Sequence, residues 1–344
     1  MIGVVLALFI ASVHAVDVRV GSATNPGFAS AASYKCDGVS DNEQIQAALD
    51  YVGKSGGGTV YLSDGLFVFS KNVDIKYSFI KLRGAGREST VLKLKNSASK
   101  FSKAGFIRSM NTQYIEVRDL TIDGNRANQS KDTSTNYGRY GIYTETCNYT
   151  TLDNLLVRNW YGYGLDPHGA SSIYAPGYHT TITNCVVRDN AYDGITVDKT
   201  EHSLVSGNTI VNNARHGINI VTGSKFANIY GNTITNNGWW YEGKPGVGCG
   251  IMLQNNQFFD TRDAVVHGNT IVNASRAGIC LTDVENIEIY SNVITLTNIC
   301  MRLKNITCSS ANISVAPDNQ CSSSYEVKDD TGGCAGFDPA FQKI

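Results

Sequence analysis

The chain has 344 residues, a formal net charge of −1 and only 17% charged side chains, so no global field would draw nucleic acid or an anionic membrane to it. A polyanionic substrate would have to be met by local cations. Length does not fix the number of domains, because a coil of repeating strands outgrows the usual domain size as one body.

The first fifteen residues, MIGVVLALFIASVHA, form an apolar run with Val13 and Ala15 where a signal peptidase reads small residues. Residues 1–15 are therefore expected to be a removable signal peptide, with a buried N-terminal strand as the alternative. The run is too short to span a membrane and no second one follows, so no membrane span is expected. All nine cysteines lie beyond it, four of them in the last 45 residues. Their spacings lack the C-x-x-C form of a zinc site, and disulfides in an oxidising compartment are expected, with at least one thiol left over. Five N-x-S/T sequons, at Asn128, Asn148, Asn273, Asn305 and Asn312, agree with a secreted, extracellular or cell-wall glycoprotein.

Next in the chain, DGVSDNEQIQAALDYVGKSGGGTVYL predicts a capped amphipathic helix, a glycine turn and a strand. Ser40 and Asp41 can cap, Glu43 and Gln44 can reach back, and Ile45, Ala48, Leu49 and Val52 form the apolar stripe. Such a helix would plug the open end of a stack of strands.

From Gly141 onward the chain resembles itself. GIYTE, GLDPH, GITVD, GINIV, GIMLQ and GICLT begin at Gly141, Gly164, Gly194, Gly217, Gly250 and Gly278, a unit near 23 residues with insertions. The segments are short, β-branched, bounded by Gly and Asn, and alternate with period two, as coils of a parallel β-helix would. Positions +1 and +3 after each Gly are aliphatic in ten of twelve cases and define the inward face. A second register at Asn184, Asn208, Asn232, Asn269 and Asn292 reads as a structural ladder of left-handed corners. Past about Cys300 the repeat is lost, and residues 300–344 are expected to cap the other end of a β-helix body spanning 16–299.

If +1 and +3 point inward, +2 and +4 point outward. Neighbouring coils lie about 4.8 Å apart, so Asp166, His168, Asp198 and Asn219 should share one patch, an acid/base constellation. Tyr163, Arg215 and His216 stand just before the repeat Gly, where a turn leaves their direction open. Two insertions flank the patch, one around Ser171 to Tyr178 and one carrying Trp239, Trp240, Tyr241, Glu242 and Lys244. These aromatics could stack on sugar rings or pack their loop onto the scaffold.

The run Tyr163–Gly164–Leu165–Asp166–Pro167–His168, then DGITVD to Asp198 and RHGIN from Arg215 to Asn219, resembles the catalytic coils of mannuronan C5-epimerases over about residues 119 to 300. The resemblance implies an all-β, single-stranded, right-handed parallel β-helix with an N-terminal capping helix and a Cys-rich C-terminal segment. It also implies a catalytic group of Tyr163, Asp166, His168 and Asp198, and substrate contacts from Arg215 and from Arg126 after the DGN turn; His216 and Asn219 join them from the residue reading. The chain departs from the family at Gly169, where members usually carry an acid.

The chemistry asks for such groups independently. A C5 proton beside a carboxylate is weakly acidic, so a cation or a protonated acid must neutralise that carboxylate before a base removes the proton. Arg126 or Arg215, with Asp166 sharing a proton, could do so, and His168 and Tyr163 could act as base and acid on opposite ring faces. The substrate so implied is an anionic polysaccharide, alginate or polymannuronate, acted on by a monomer. No cofactor is required, and a structural or substrate-bridging calcium ion stays open. The rivals are a polyuronate lyase, in which the same carbanion expels the C4 oxygen, a glycoside hydrolase using Asp166 and Asp198 as paired carboxylates, and a non-catalytic glycan-binding β-helix.

Overall fold

The computed structural model describes residues 15–98, 105–130, 140–170, 175–241, 243–255, 259–323, 325–334, 337 and 341–344. The expected signal peptide lies outside them, apart from Ala15. Among the described residues, ten strands stack into one parallel sheet, from Val73–Ile75 through Ile142–Glu145, Leu165–His168, Ile195–Asp198, Ile218–Val221, Cys249–Gln254 and Ala277–Thr282 to Tyr325–Asp329. The repeat glycines fall in step, so Ile195 pairs with Ile218, Ile218 with Ile251 and Ile251 with Ile279. That aliphatic column is wholly buried, and each side chain contributes about 1.5–3 kcal/mol of burial. The rest of each coil runs through a second parallel sheet as two short strands, such as Thr181–Thr183 and Val186–Arg188, on which Leu204–Ser206 and Thr209–Val211 stack.

The helix Asn42–Lys54 plugs one end, with Ile45, Ala48, Leu49 and Val52 buried as expected. Its cap differs from expectation. Asp41 makes no side-chain bond to the helix, and its carboxylate accepts instead from Gly38 N–H at 2.9 Å and Val68 N–H at 2.7 Å, tying the helix to the coil beside it. At the other end the coil outlasts the visible repeat. Ile299–Lys304 and Tyr325–Asp329 extend the ten-stranded sheet, because alternation of Cys300, Arg302 and Lys304 with Met301 and Leu303 persists where the Gly signal has gone. Disulfides join Cys249 to Cys280 and Cys300 to Cys321, while Cys36, Cys147 and Cys185 are buried thiols.

The asparagine ladder is real but rests on another cause than left-handed corners. Asn208, Asn232, Asn269 and Asn292 are buried rungs, and Asn319 adds a further one; from Asn232 onward each Oδ1 accepts from both the backbone and the side-chain N–H of the rung before it. The positive φ falls one residue earlier, at Gly207, Gly231, Gly268 and Ser291. Asn184 occupies that earlier position, at φ 56°, and is exposed; its rung is Cys185, whose N–H donates to Asn208 Oδ1 at 2.9 Å. A second ladder, Asn190 to Asn213 to Asn237, stacks the corners that lead into the ten-stranded sheet. These corners carry the residues just before each repeat Gly.

Candidate active site

Four consecutive strands of the ten-stranded sheet carry the site: Ile142–Glu145, Leu165–His168, Ile195–Asp198 and Ile218–Val221. The glycines that open them are needed for close approach, since a Cβ on Gly164 would stand 2.6 Å from the Gly194 carbonyl oxygen and one on Gly194 2.8 Å from that of Gly217. Pro167 supplies no N–H, and the pairing between the second and third strands is registered only at Leu165 with Ile195 and His168 with Asp198. A proline inside a central strand costs ladder bonding, and such a local conflict marks a site kept for another reason.

The outward row is not open to solvent. Tyr143, Asp166, Thr196, Asn219, Met252 and Cys280 are all buried; at the corners beside them Arg215 packs on Tyr163 and Tyr192, the guanidinium lying 5.3 and 5.7 Å from the two ring centres. The row that carries Asp166 is thus withdrawn from solvent.

His168 Nε2 stands 3.3 Å from Asp198 Oδ2, and Nδ1 faces the Gly169 carbonyl oxygen. A carbonyl on one nitrogen and a carboxylate on the other both call for N–H. Burial opposes protonation, but the bond to Asp198 and the charges of Asp166 and Asp198 outweigh it and raise the imidazole to about 9. Asp166 is 2% exposed and its Oδ1 has no hydrogen-bond partner. Burial pushes its carboxyl up to about 7, with His168 pulling down and Asp198 pushing further up.

The second cluster centres on Asp193, at 0% exposure. It accepts from Arg215 Nε at 2.6 Å and Nη2 at 2.5 Å, from the His216 backbone N–H at 2.8 Å, from Asn219 Nδ2 at 3.0 Å and from Thr196 Oγ1 at 3.0 Å. Burial would raise this carboxyl, but Arg215 dominates and holds it at about 2. Arg215 Nη2 in turn donates to Tyr163 Oη at 3.3 Å, which opposes the upward push of burial on that phenol. Aspartate and arginine together form a rigid, ionised block under the tyrosine.

Of the residues singled out from the sequence, Asp166, His168 and Asp198 converge, and Tyr163 and Arg215 converge beside them. His216 and Asn219 correct the expectation that they face a substrate. His216 is buried and its Nδ1 accepts from Cys249 N–H at 3.0 Å, with burial pushing its pKa down to about 4. Asn219 donates to Asp193 and accepts from Gln254 Nε2 at 3.0 Å. Both are scaffold beneath Arg215. Arg126 opens the short 3-10 turn Arg126–Asn128 on a neighbouring corner and lines a cavity of about 410 Å³ with Lys93, Asp123, Asn125 and Tyr161.

Asp193 is a residue the sequence reading missed, although it stands directly before Gly194, in line with Tyr163 and His216. Tyr143 and Glu145 were missed as well: Tyr143 Oη donates to Glu145 Oε2 at 2.5 Å, its ring centre lies 5.7 Å from that of His168, and Glu145 pairs with His168 in register. Trp239 and Trp240 are 49% and 58% exposed. The flanking insertion is described only outside residues 171–174.

Comparison with known proteins follows this geometry. The model of the family "Right handed beta helix region" matches residues 54–234 and 104–294. The chain is 32% identical over 240 residues to mannuronan C5-epimerase AlgE1 of Azotobacter vinelandii, covering 64% of this chain and 16% of the relative. It is 35% identical over 208 residues to alginate lyase 7 of the same organism, covering 55% of this chain and 23% of that one. It therefore spans less than a quarter of either relative. Among solved structures, the A-module of Azotobacter vinelandii mannuronan C-5 epimerase AlgE4 superposes with a TM-score of 0.63 at 22% identity, over 94% of this chain and 93% of that one, and so shares the fold.

Proposed function

We propose, from the premise that this chain belongs to the right-handed β-helix family, that it is a polysaccharide-active enzyme whose reaction is C5 epimerisation of mannuronate to guluronate within alginate. The observation that carries this reading is the unpaired Oδ1 of the buried Asp166, set on one wall with the His168–Asp198 pair and beside Tyr163 and Arg215. The likeness to epimerases of this chemistry supports it.

In this reading the uronate carboxylate lies against Asp166, whose carboxyl, at about 7, is half protonated near neutrality and can share its proton. Arg215 adds positive charge where the C5 carbanion delocalises. His168 and Tyr163 exchange protons with C5, one as base and the other as acid, on opposite faces of the ring, which inverts the centre. Asp198 holds the His168 ring. Arg126 meets the carboxylate of another residue along the chain. The reaction as written uses no cofactor and needs one copy of the chain. The disulfides Cys249–Cys280 and Cys300–Cys321 support a secreted protein, and no helix among the described residues is long and apolar enough to cross a membrane.

A second reading, alginate lyase, has the support of the equally similar lyase relative. The two share the carbanion and part only at the C4 oxygen, which a lyase must protonate as it leaves. Incubation with polymannuronate in deuterated water, followed by proton magnetic resonance, separates them. Epimerisation gives deuterium at C5 in guluronate with chain length intact. Chain shortening with unsaturated uronate ends gives the lyase, and polymer recovered without label sinks both.

A further inference from the structure

Lys199, next after Asp198, has no part in the chemistry above, yet it is only 1% exposed. An ammonium group taken out of water needs partners. Its Nζ donates to the Ala170 carbonyl oxygen and lies 4.6 Å from the centre of the Phe259 ring. The backbone prepares this placement: Lys199 adopts φ 48°, its N–H donates to Val221 O at 3.1 Å, and its carbonyl accepts from Gly177 N–H at 3.2 Å.

The turn that follows His168 is pressed onto this lysine. Gly169 is there for room, because a Cβ would stand 2.6 Å from Lys199 O, 2.7 Å from Ala175 O and 2.9 Å from Lys199 Cβ. A glycine also frees the adjoining peptide to rotate. The Gly169 carbonyl nevertheless has a duty, since it faces His168 Nδ1. One bond restrains the peptide that bears it and another the peptide next to it. Ala170 N–H donates to Ala175 O at 2.9 Å, and the next carbonyl, that of Ala170, is held by Lys199 Nζ.

Building on the reading of His168 as a proton-transfer group, we propose that Lys199 is a positioning residue: by gripping the Ala170 carbonyl it fixes the Gly169 peptide on His168 Nδ1, and so keeps Nε2 turned to Asp198 and the substrate. It touches no reacting atom. Without it, the glycine-hinged peptide swings, Nδ1 loses its acceptor, and the neutral ring passes to the Nε2–H tautomer that Asp198 calls for.

The test reads the ring and the rate separately. Nitrogen-15 spectra of the imidazoles, with the His168 signal identified by its loss in His168→Gln, are followed to alkaline pH in the full chain. The neutral parent ring is expected to show Nδ1–H, held there by Gly169 against the pull of Asp198, and Lys199→Met should shift it to the Nε2–H tautomer. In deuterium exchange at C5 of polymannuronate, Lys199→Met should lower kcat about tenfold to a hundredfold with KM changed less than about twofold, as for a misplaced catalytic group. Lys199→Arg, long enough to reach Ala170, should recover kcat to within about threefold. Where the Met variant does not fold, Lys199→Gln, one atom too short to reach, carries the same expectation. A parent ring found as the Nε2–H tautomer, a variant ring unchanged from the parent, or an altered ring with parental kcat each overturns the proposal. Absence of C5 exchange in the parent would instead sink the functional reading, and the ring spectra would still decide the role of Lys199.

Discussion

Two polar columns run along this β-helix, and they are built on opposite terms. In the asparagine ladder every rung from Asn208 to Asn292 both donates and accepts, down to bonds from each Nδ2 to a carbonyl such as Val205 O or Ile229 O. On the outer wall, Asp166 Oδ1 and Asp198 Oδ1 are buried with no partner. The first column spends its hydrogen bonds on the fold, since a buried amide left unpaired is costly. The second withholds them, and leaves two buried oxygens for a bound molecule to complete. Side-chain polarity alone does not separate structure from function here; satisfaction does.

The contrast is broken most directly at its extremes. Asp166→Asn should lower the C5 exchange rate by about 10³-fold, within the range for losing a positioned acid/base group, while the melting temperature holds or rises because an unpaired buried carboxylate has gone. A variant that lost stability along with activity would mean Asp166 belongs to the fold. Next in size, Asn232→Ala should behave in reverse, losing about 3 kcal/mol in urea denaturation from the orphaned Asn208, Val205 and Asn269 groups, with kcat per folded molecule unchanged.

The smallest effect sharpens the comparison through pH. With Asp166 near 7 and needed in its protonated form, kcat/KM should fall as pH rises through about 7. Asp198→Asn removes the bond that raises His168, so the imidazole pKa followed by nitrogen-15 resonance should fall from about 9 toward the ordinary imidazole range. Stability carries the same sign: a raised imidazole pKa stabilises fully below the unfolded value of 6.5 and the benefit is lost as pH rises through about 9. Thermal denaturation across that window should decline in the parent and be flatter in Asp198→Asn.

Most of the architecture was legible because a stacked coil repeats its own rules. Gly141 to Gly278 gave the register, and the +1 and +3 columns named the core. His168 and Asp198 could be paired from counting alone. What counting could not give was direction at the corners, where alternation stops. Tyr163, Asp193 and His216 occupy the same place before the repeat Gly, yet the first packs against Arg215, the second anchors that guanidinium and the third turns to Cys249. Reading that column as a unit would have flagged Asp193 beside Arg215. Nor could the count foresee that the outward row would be buried, since burial depends on neighbours from other turns. Past Cys300 the glycine signal fails while the strands persist, because once Gly is absent only a short alternation remains to be seen.

A stacked coil has no hub. A turn that loosens leaves its neighbour with a bare edge, and melting can travel along the axis. Cys249–Cys280 and Cys300–Cys321 rivet late turns together, the first beside His216, which accepts from Cys249 N–H. Heat should therefore fray the molecule from the helix-plugged end, reaching Tyr143 and Asp166 before the riveted turns give way, so that a warmed sample would fall silent while much of its β-sheet signal survived.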